Sequence, residues 1–152
     1  MTTLKIGDKA PYFEGIDQNE KKISLTDFIG KKVVLFFYPK ASTPGCTMEA
    51  KNLRDNYDVF LNKGYEIVGV SADSVKRQLN FANKNELLFS LIADEDKTIL
   101  NSYEVWGPKK FMGREYDGIH RMTFIIDEKG MIENIIKKVK TKAHTDQIFG
   151  TI

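Results

Sequence analysis

Apolar and polar residues follow distinct rhythms along the chain, and each change of rhythm marks an element. The run Val33-Val34-Leu35-Phe36-Phe37 is β-branched and aromatic and predicts a buried strand over residues 32–37. Beyond Cys46 the spacing turns helical, with Ala50, Leu53, Tyr57, Phe60 and Leu61 on one face of a helix over 47–62. Gly64 ends it and 65–71 reads as the next strand, so the two strands are parallel neighbours joined by a helical crossover. Asp73 or Ser74 caps a second helix through about Asn85, with Val75, Leu79 and Ala82 turned inward. A short strand over 89–93 and a short helix over 98–103 follow.

The flanking segments are shorter. Residues 5–11 read as an entry loop, and 12–16 with 21–25 as an N-terminal hairpin around Asp17-Gln18-Asn19-Glu20. One helical turn over 26–29 closes at Gly30. Between 105 and 119 the rhythm is lost, which predicts a loop or irregular ribbon. Residues 121–126 and 131–137 bracket Asp127-Glu128-Lys129-Gly130 as an antiparallel hairpin. A last helix over 141–149 ends near Gly150. This order predicts an α/β protein with a central mixed β-sheet, helices on both faces and an N-terminal β-hairpin.

With 152 residues the chain suits one domain, 1–152, around one sizeable core. Hydrophobic content of 41% and charged content of 29% are those of a soluble globular protein. A net charge of +2 with scattered basic residues gives no footprint for nucleic acid. The densest basic run, Lys137, Lys138, Lys140 and Lys142, reads as a solvated strand end or helix start. No stretch is long and apolar enough to span a membrane, no apolar leader opens the chain, and one cysteine excludes a disulfide framework. A cytoplasmic location is the expectation.

Chemistry concentrates between the first buried strand and its helix. Thr43 supplies an N-cap and Pro44 the first helical position, so Cys46 falls about third in the helix. Backbone N–H groups there lack helical partners and the helix dipole favours negative charge, which biases a thiol towards the reactive thiolate. Position alone leaves two readings level: a small buried hydrophobe, or a nucleophile at the end of a strand.

Pro39-x-x-x-Thr43-x-x-Cys46 resembles the active-site motif of peroxiredoxins, the thiol peroxidases of the thioredoxin-like superfamily. The longer string Phe37-Tyr38-Pro39-Lys40 through Thr43-Pro44-Gly45-Cys46-Thr47-x-Glu49-Ala50 resembles the bacterioferritin-comigratory, or peroxiredoxin Q, subfamily. Gly7-Asp8-Lys9-Ala10-Pro11, Leu25-x-Asp27-Phe28-x-Gly30-Lys31 and Tyr116-Asp117-Gly118-Ile119-His120-Arg121-x-Thr123-Phe124-Ile125-Ile126-Asp127 agree, so the similarity runs from about Leu4 to His144. The resemblance implies a thioredoxin-like fold. It also implies a peroxidase in which Cys46 attacks hydrogen peroxide or an organic hydroperoxide, becomes sulfenic acid and is recycled by an external thiol. That thiol would be thioredoxin, glutaredoxin or a low-molecular-weight compound. No cofactor or metal is called for, and a monomer or weak homodimer is expected. The resemblance carries Thr43 and Arg121 into the catalytic pocket with Cys46, and Pro39, Gly45 and Glu49 into its walls. One departure stands out: many subfamily members have a second cysteine five residues after the first, where this chain has Lys51.

The residues admit corresponding roles. The N–H groups of Gly45 and Cys46 are fixed donors for peroxide oxygens, and the Thr43 hydroxyl both accepts and donates. Arg121 is the cation for the thiolate, or else a surface arginine opening a hairpin. Glu49, one helical turn from Cys46, orients Arg121, or else is an exposed helix carboxylate. His120 with Cys46 admits a weak Cys–His hydrolase reading. Phe36, Phe37, Phe81, Phe89 and Phe124 are core residues, and Trp106 lines the pocket or packs. A disulfide oxidoreductase is the nearest alternative, but Thr43 stands where its first cysteine would be. A non-catalytic binding or holdase module is the other.

Overall fold

A computed structural model describes residues 2–150. Strands β1 (Glu14–Ile16) and β2 (Lys22–Ser24) pair antiparallel as the N-terminal hairpin, and a 3₁₀ turn over Leu25–Phe28 follows. The chain then runs β3 (Lys32–Phe37), α1 (Pro44–Asp55), α2 (Tyr57–Asn62), β4 (Tyr65–Ser71), α3 (Val75–Asn85), β5 (Ser90–Ala93) and α4 (Thr98–Ser102). It ends with β6 (Trp106–Phe111), β7 (Arg114–Ile119), β8 (Met122–Ile126), β9 (Ile132–Ile136) and α5 (His144–Phe149).

Five strands form a mixed sheet in the order β5-β4-β3-β8-β9. β3, β4 and β5 are parallel, whereas β8 runs antiparallel to both β3 and β9. β3 is central because its apolar run can be buried on both faces. Val33, Leu35 and Phe37 pack with Ile99, Leu100 and Tyr103 of the α4 region and with Ala10, Phe13 and Leu25. Val34 and Phe36 point the other way, to Ala50 and Leu53 of α1, Phe60 of α2, Phe81 of α3 and Ile148 of α5. Helices therefore cover both faces. Phe36, Phe37, Phe81, Phe89 and Phe124 are all buried, as expected of core residues.

Three expectations need correction. The helix after Cys46 is two helices. The Asn56 side-chain amide donates to the Asn52 carbonyl at 2.8 Å, taking the acceptor its own N–H would use, and that N–H turns to Leu53. As a result Leu61 is exposed rather than inward. The inner face of α3 is Gln78, Phe81, Ala82 and Asn85, not Val75 and Leu79. Gln78 can be buried because Tyr38, Ser71 and the Ile92 carbonyl satisfy its amide. Finally, 105–119 is mostly a regular ribbon: β6 and β7 pair from Trp106↔Ile119 to Phe111↔Arg114. Met112 (φ 51°) and Gly113 (φ 79°) are both left-handed, as a two-residue turn matched to strand twist requires. Met112 hides that turn from a sequence reading.

Candidate active site

The end of β3 feeds the loop 38–43, and a buried polar network holds that loop. Tyr38 Oη donates to Gln78 Oε1 at 2.5 Å, and burial keeps the phenol above its usual pKa, hence a donor. Gln78 Nε2 donates to Ser71 Oγ, Ser71 Oγ to Asp73 Oδ2, and the Ala41 N–H to the same carboxylate oxygen at 2.8 Å. Ser42 adopts a left-handed φ of 65°, a conformation that a residue with a Cβ rarely takes. The loop thus reaches Thr43 in one fixed shape.

Thr43 is the N-cap of α1 with extended backbone, and Pro44 is first in the helix. Its hydroxyl does not cap, however: the Thr43 Oγ1 donates to the Lys40 carbonyl at 2.7 Å. The first α-helical bond runs from Thr47 N–H to Thr43 O, so the N–H groups of Gly45 and Cys46 precede the ladder. Cys46 is buried, at 1% exposure, with its sulfur on the core face of α1.

Arg121 arrives from the other side of β3. Phe37 pairs with Met122, so Arg121 lies one step past the ladder, beside the loop that β3 enters. Alternation along β8 puts Arg121, Thr123 and Ile125 on the face that α1 covers. Arg121 Nη2 donates to Cys46 Sγ across 3.3 Å, and Nη1 donates to Glu49 Oε1 at 2.5 Å. Burial opposes the guanidinium charge, but Glu49 and Cys46 outweigh it and the arginine pKa is raised. Glu49 is fully buried, and burial raises its carboxyl to about 7 against the pull of Arg121. An exposed helix carboxylate is excluded.

Gly45 makes room for this pair, since a Cβ there would sit 3.3 Å from Arg121 Nη2. Pro39 lies on the wall of an adjoining cavity of about 390 Å³ with Lys40, Trp106, Lys109 and Tyr116. Sequence reasoning missed Lys109. Its Nζ donates to the Ile119 carbonyl at 2.8 Å, and burial, then nearby Arg121, holds its pKa down. Only the β6–β7 pairing brings it near, and the sequence hides that pairing. Also missed was His144, which is fully buried with Nε2 3.5 Å from Glu49 Oε2. His120 is turned elsewhere: its Nε2 donates to the Pro108 carbonyl at 3.0 Å, which leaves the Cys–His reading without geometric support. Lys51 lies on the outer side of α1, lining an open cavity of about 540 Å³ with Pro44, Met48 and Lys142.

A mixed sheet thus delivers a cysteine to a helix N-terminus under a guanidinium, an arrangement suited to thiolate chemistry. Residues 6–135 match the AhpC/TSA family, and the chain belongs to that family. Peroxiredoxin Bcp of Escherichia coli is 46% identical over 148 residues, covering 97% of this chain and 95% of that protein. Peroxiredoxin Bcp of Bacillus subtilis is 40% identical over 150 residues, covering 99% and 96%. The structure of Xanthomonas campestris peroxiredoxin Q superposes with a TM-score of 0.87 at 30% identity, covering 99% of this chain and 95% of that one. Peroxidoxin BcpB of Mycobacterium tuberculosis gives 0.85 at 32% identity, covering 97% and 96%. The similarity is thus to the Bcp, or peroxiredoxin Q, branch, and the fold is the thioredoxin-like one of these peroxiredoxins. No helix among the described residues is long and apolar enough to cross a membrane.

Proposed function

We propose that this thiol-dependent peroxidase works through a one-cysteine cycle on Cys46. The observation that carries the reading is the 3.3 Å hydrogen bond from Arg121 Nη2 to Cys46 Sγ. A charged donor on the sulfur favours its anionic form and remains to stabilise the oxygen anion that leaves. Thiolate attack on a peroxide breaks the O–O bond, transfers one oxygen to sulfur and expels hydroxide or alkoxide, which takes up a proton to leave as water or alcohol. The Thr43 hydroxyl commits its proton to Lys40 and so offers lone pairs to the peroxide O–H. Gly45 and Cys46 N–H groups donate to the peroxide oxygens, Pro39 closes the pocket wall, and Glu49 orients Arg121.

The sulfenic acid is returned by two thiols from outside. The first forms a mixed disulfide with Cys46 and releases water; the second frees Cys46 and leaves as a disulfide with the first. This chain has no second cysteine to take either part. Thioredoxin, glutaredoxin or a low-molecular-weight thiol fits the role, and the cycle asks no more than a monomer or weak homodimer. Disulfide oxidoreduction finds no support, because Thr43 occupies the position of the required first cysteine.

Stopped-flow oxidation of the reduced protein by micromolar hydrogen peroxide and an organic hydroperoxide tests the reading. Stoichiometric sulfenic acid at Cys46, absent from Cys46→Ser, is the expected result. Equal peroxide consumption by Cys46→Ser would reject it.

A further inference from the structure

The floor of the site holds a buried polar atom that the peroxidase reading leaves unused. Glu49 gives Oε1 to Arg121, but Oε2, equally buried, has no hydrogen-bond partner among the described residues. His144 of α5 places its Nε2 3.5 Å from it. Both side chains are completely excluded from solvent. A carboxylate oxygen so placed is costly unless a proton is available to it.

The hydrogen bonds around His144 say where that proton can sit. Gln147 Nε2 donates to the Lys138 carbonyl at 2.7 Å, and its Oε1 accepts from the Lys140 N–H at 3.0 Å, so the amide is oriented without ambiguity. His144 Nδ1 lies 2.9 Å from that same Oε1 and must therefore donate to it. A neutral His144 is then the Nδ1–H form, whose Nε2 lone pair accepts from the Thr123 hydroxyl at 2.7 Å. Nε2 faces Thr123 Oγ1 at 2.7 Å and Glu49 Oε2 at 3.5 Å. With Glu49 ionised and His144 neutral, the buried Oε2 confronts a nitrogen that has no proton to give it. One additional proton on the pair removes that conflict.

We propose that His144 is a positioning residue that shares one proton with Glu49 and thereby sets the charge Glu49 presents to Arg121. With the proton present the pair is neutral and Arg121 acts on Cys46 with its full charge. Once the proton is lost, Glu49 is a full carboxylate and offsets the guanidinium that Cys46 sees. Arg121 is the charged group that acts on both members; it also donates to Cys46 Sγ and acts on Lys109. Burial disfavours both charged forms, raising Glu49 to about 7 and lowering His144 to about 4, so the pair keeps one proton between those limits. The C-terminal segment is held in register for this role. Asn52 Oδ1 on α1 accepts from the Thr145 N–H at 2.8 Å, and Asn52 Nδ2 donates to the Lys142 carbonyl.

The proposal rests on the peroxidase reading for its consequence but not for its first test. Nitrogen chemical shifts of the two histidines, followed from pH 4 to pH 9 in the reduced protein without peroxide, report the proton directly. His144 is expected to keep a protonated Nδ1 throughout, with an Nε2 shift that titrates near neutrality and loses that step in Glu49→Gln. An Nε2–H tautomer, or a titration indifferent to Glu49→Gln, overturns the shared proton. The second arm compares peroxide oxidation rates of the parent and His144→Gln, in which an amide N–H takes the place of the shared proton on Oε2. Because the variant holds Glu49 ionised at lower pH, it should be slower by about fivefold at pH 6 and by less than about twofold at pH 8.5. A deficit of equal size at both pH values would mean that His144 serves packing alone.

Discussion

On the inner face of α1, Cys46, Glu49, Ala50 and Leu53 are buried; on its outer face, Met48, Lys51 and Asp55 are exposed. Both sets repeat at helical spacing, so one short helix carries two separate stripes. The buried stripe is where Arg121 meets a sulfur and a carboxylate one turn apart. The exposed stripe holds Lys51, five residues after Cys46. About 140° of helix rotation and about 7.5 Å of rise separate residues five apart, putting their Cα atoms about 8–9 Å from each other. A disulfide needs a separation below about 7 Å. A thiol at position 51 would therefore lie on the face away from Cys46 and out of disulfide reach while α1 stays helical. A chain with Lys51 on the outer face can keep α1 folded through its whole cycle.

Breaking the inner face has the largest expected effect. Arg121→Met should slow Cys46 oxidation by at least about a hundredfold, the scale of losing one positioned charged donor. Folding should suffer less, because Glu49, already raised to about 7, can take up a proton when its partner is gone. Stopped-flow rates with urea denaturation of the same sample separate the two effects. A near-parental rate from the folded variant would remove Arg121 from the reaction.

A subtler change to the same face follows from Gly45. Alanine there is favourable in a helix by up to about 1 kcal/mol, yet its Cβ presses on Arg121 Nη2. Gly45→Ala should therefore react about tenfold more slowly while melting no lower than the parent. Loss of stability without loss of rate would show that the glycine serves the helix rather than the arginine.

The Glu49–His144 floor sharpens the comparison through pH. Folding raises Glu49 from 4.5 to about 7 and lowers His144 from 6.5 to about 4. Between these ordinary values the native protein binds a proton on Glu49 while the unfolded chain binds one on His144. The counts match, so the pair adds almost no slope to stability there. In His144→Leu only the native state keeps a proton, and stability must fall as pH rises from 4.5 through 7. Relative to the parent, the variant should gain about 2 kcal/mol on going from pH 7 to pH 5 in urea melts. Parallel pH curves for the two proteins would contradict this assignment.

The outer face should tolerate most. Lys51→Cys is expected to leave the rate within about twofold of the parent and to give no internal disulfide with Cys46 while α1 stays helical. Mass mapping after mild oxidation checks it. A fast internal disulfide would show that the helix opens more readily than its buried stripe suggests.

Much of this arrangement is legible in the sequence. The bounds of β3 and β4, the helix start at Thr43-Pro44 and the β8–β9 hairpin follow from local patterns of apolar and turn residues. Cys46 at the third helical position follows from the same signals, whereas Arg121 and Glu49 came through resemblance, since 75 residues separate the arginine from the cysteine. What stayed hidden depends on tertiary partners. Gln78 and Asn85 line the inner face of α3, where a hydrophobic pattern has no reason to put them, because other buried groups satisfy their amides. The one sequence signal for that face is modest: Gln78, Phe81, Ala82 and Asn85 repeat at helical spacing, with polar residues at both ends. His144 and Lys109 meet the site only after α5 docks on α1 and β6 pairs with β7.

The central claim, a cycle in which oxidised Cys46 waits as sulfenic acid for an outside thiol, is tested most directly by intact mass. One equivalent of peroxide without reductant should give monomer heavier by one oxygen, reversed by an added thiol, and excess peroxide should add a second oxygen as sulfinic acid. Quantitative collection as a Cys46–Cys46 disulfide dimer that thioredoxin reduces during turnover would contradict the account.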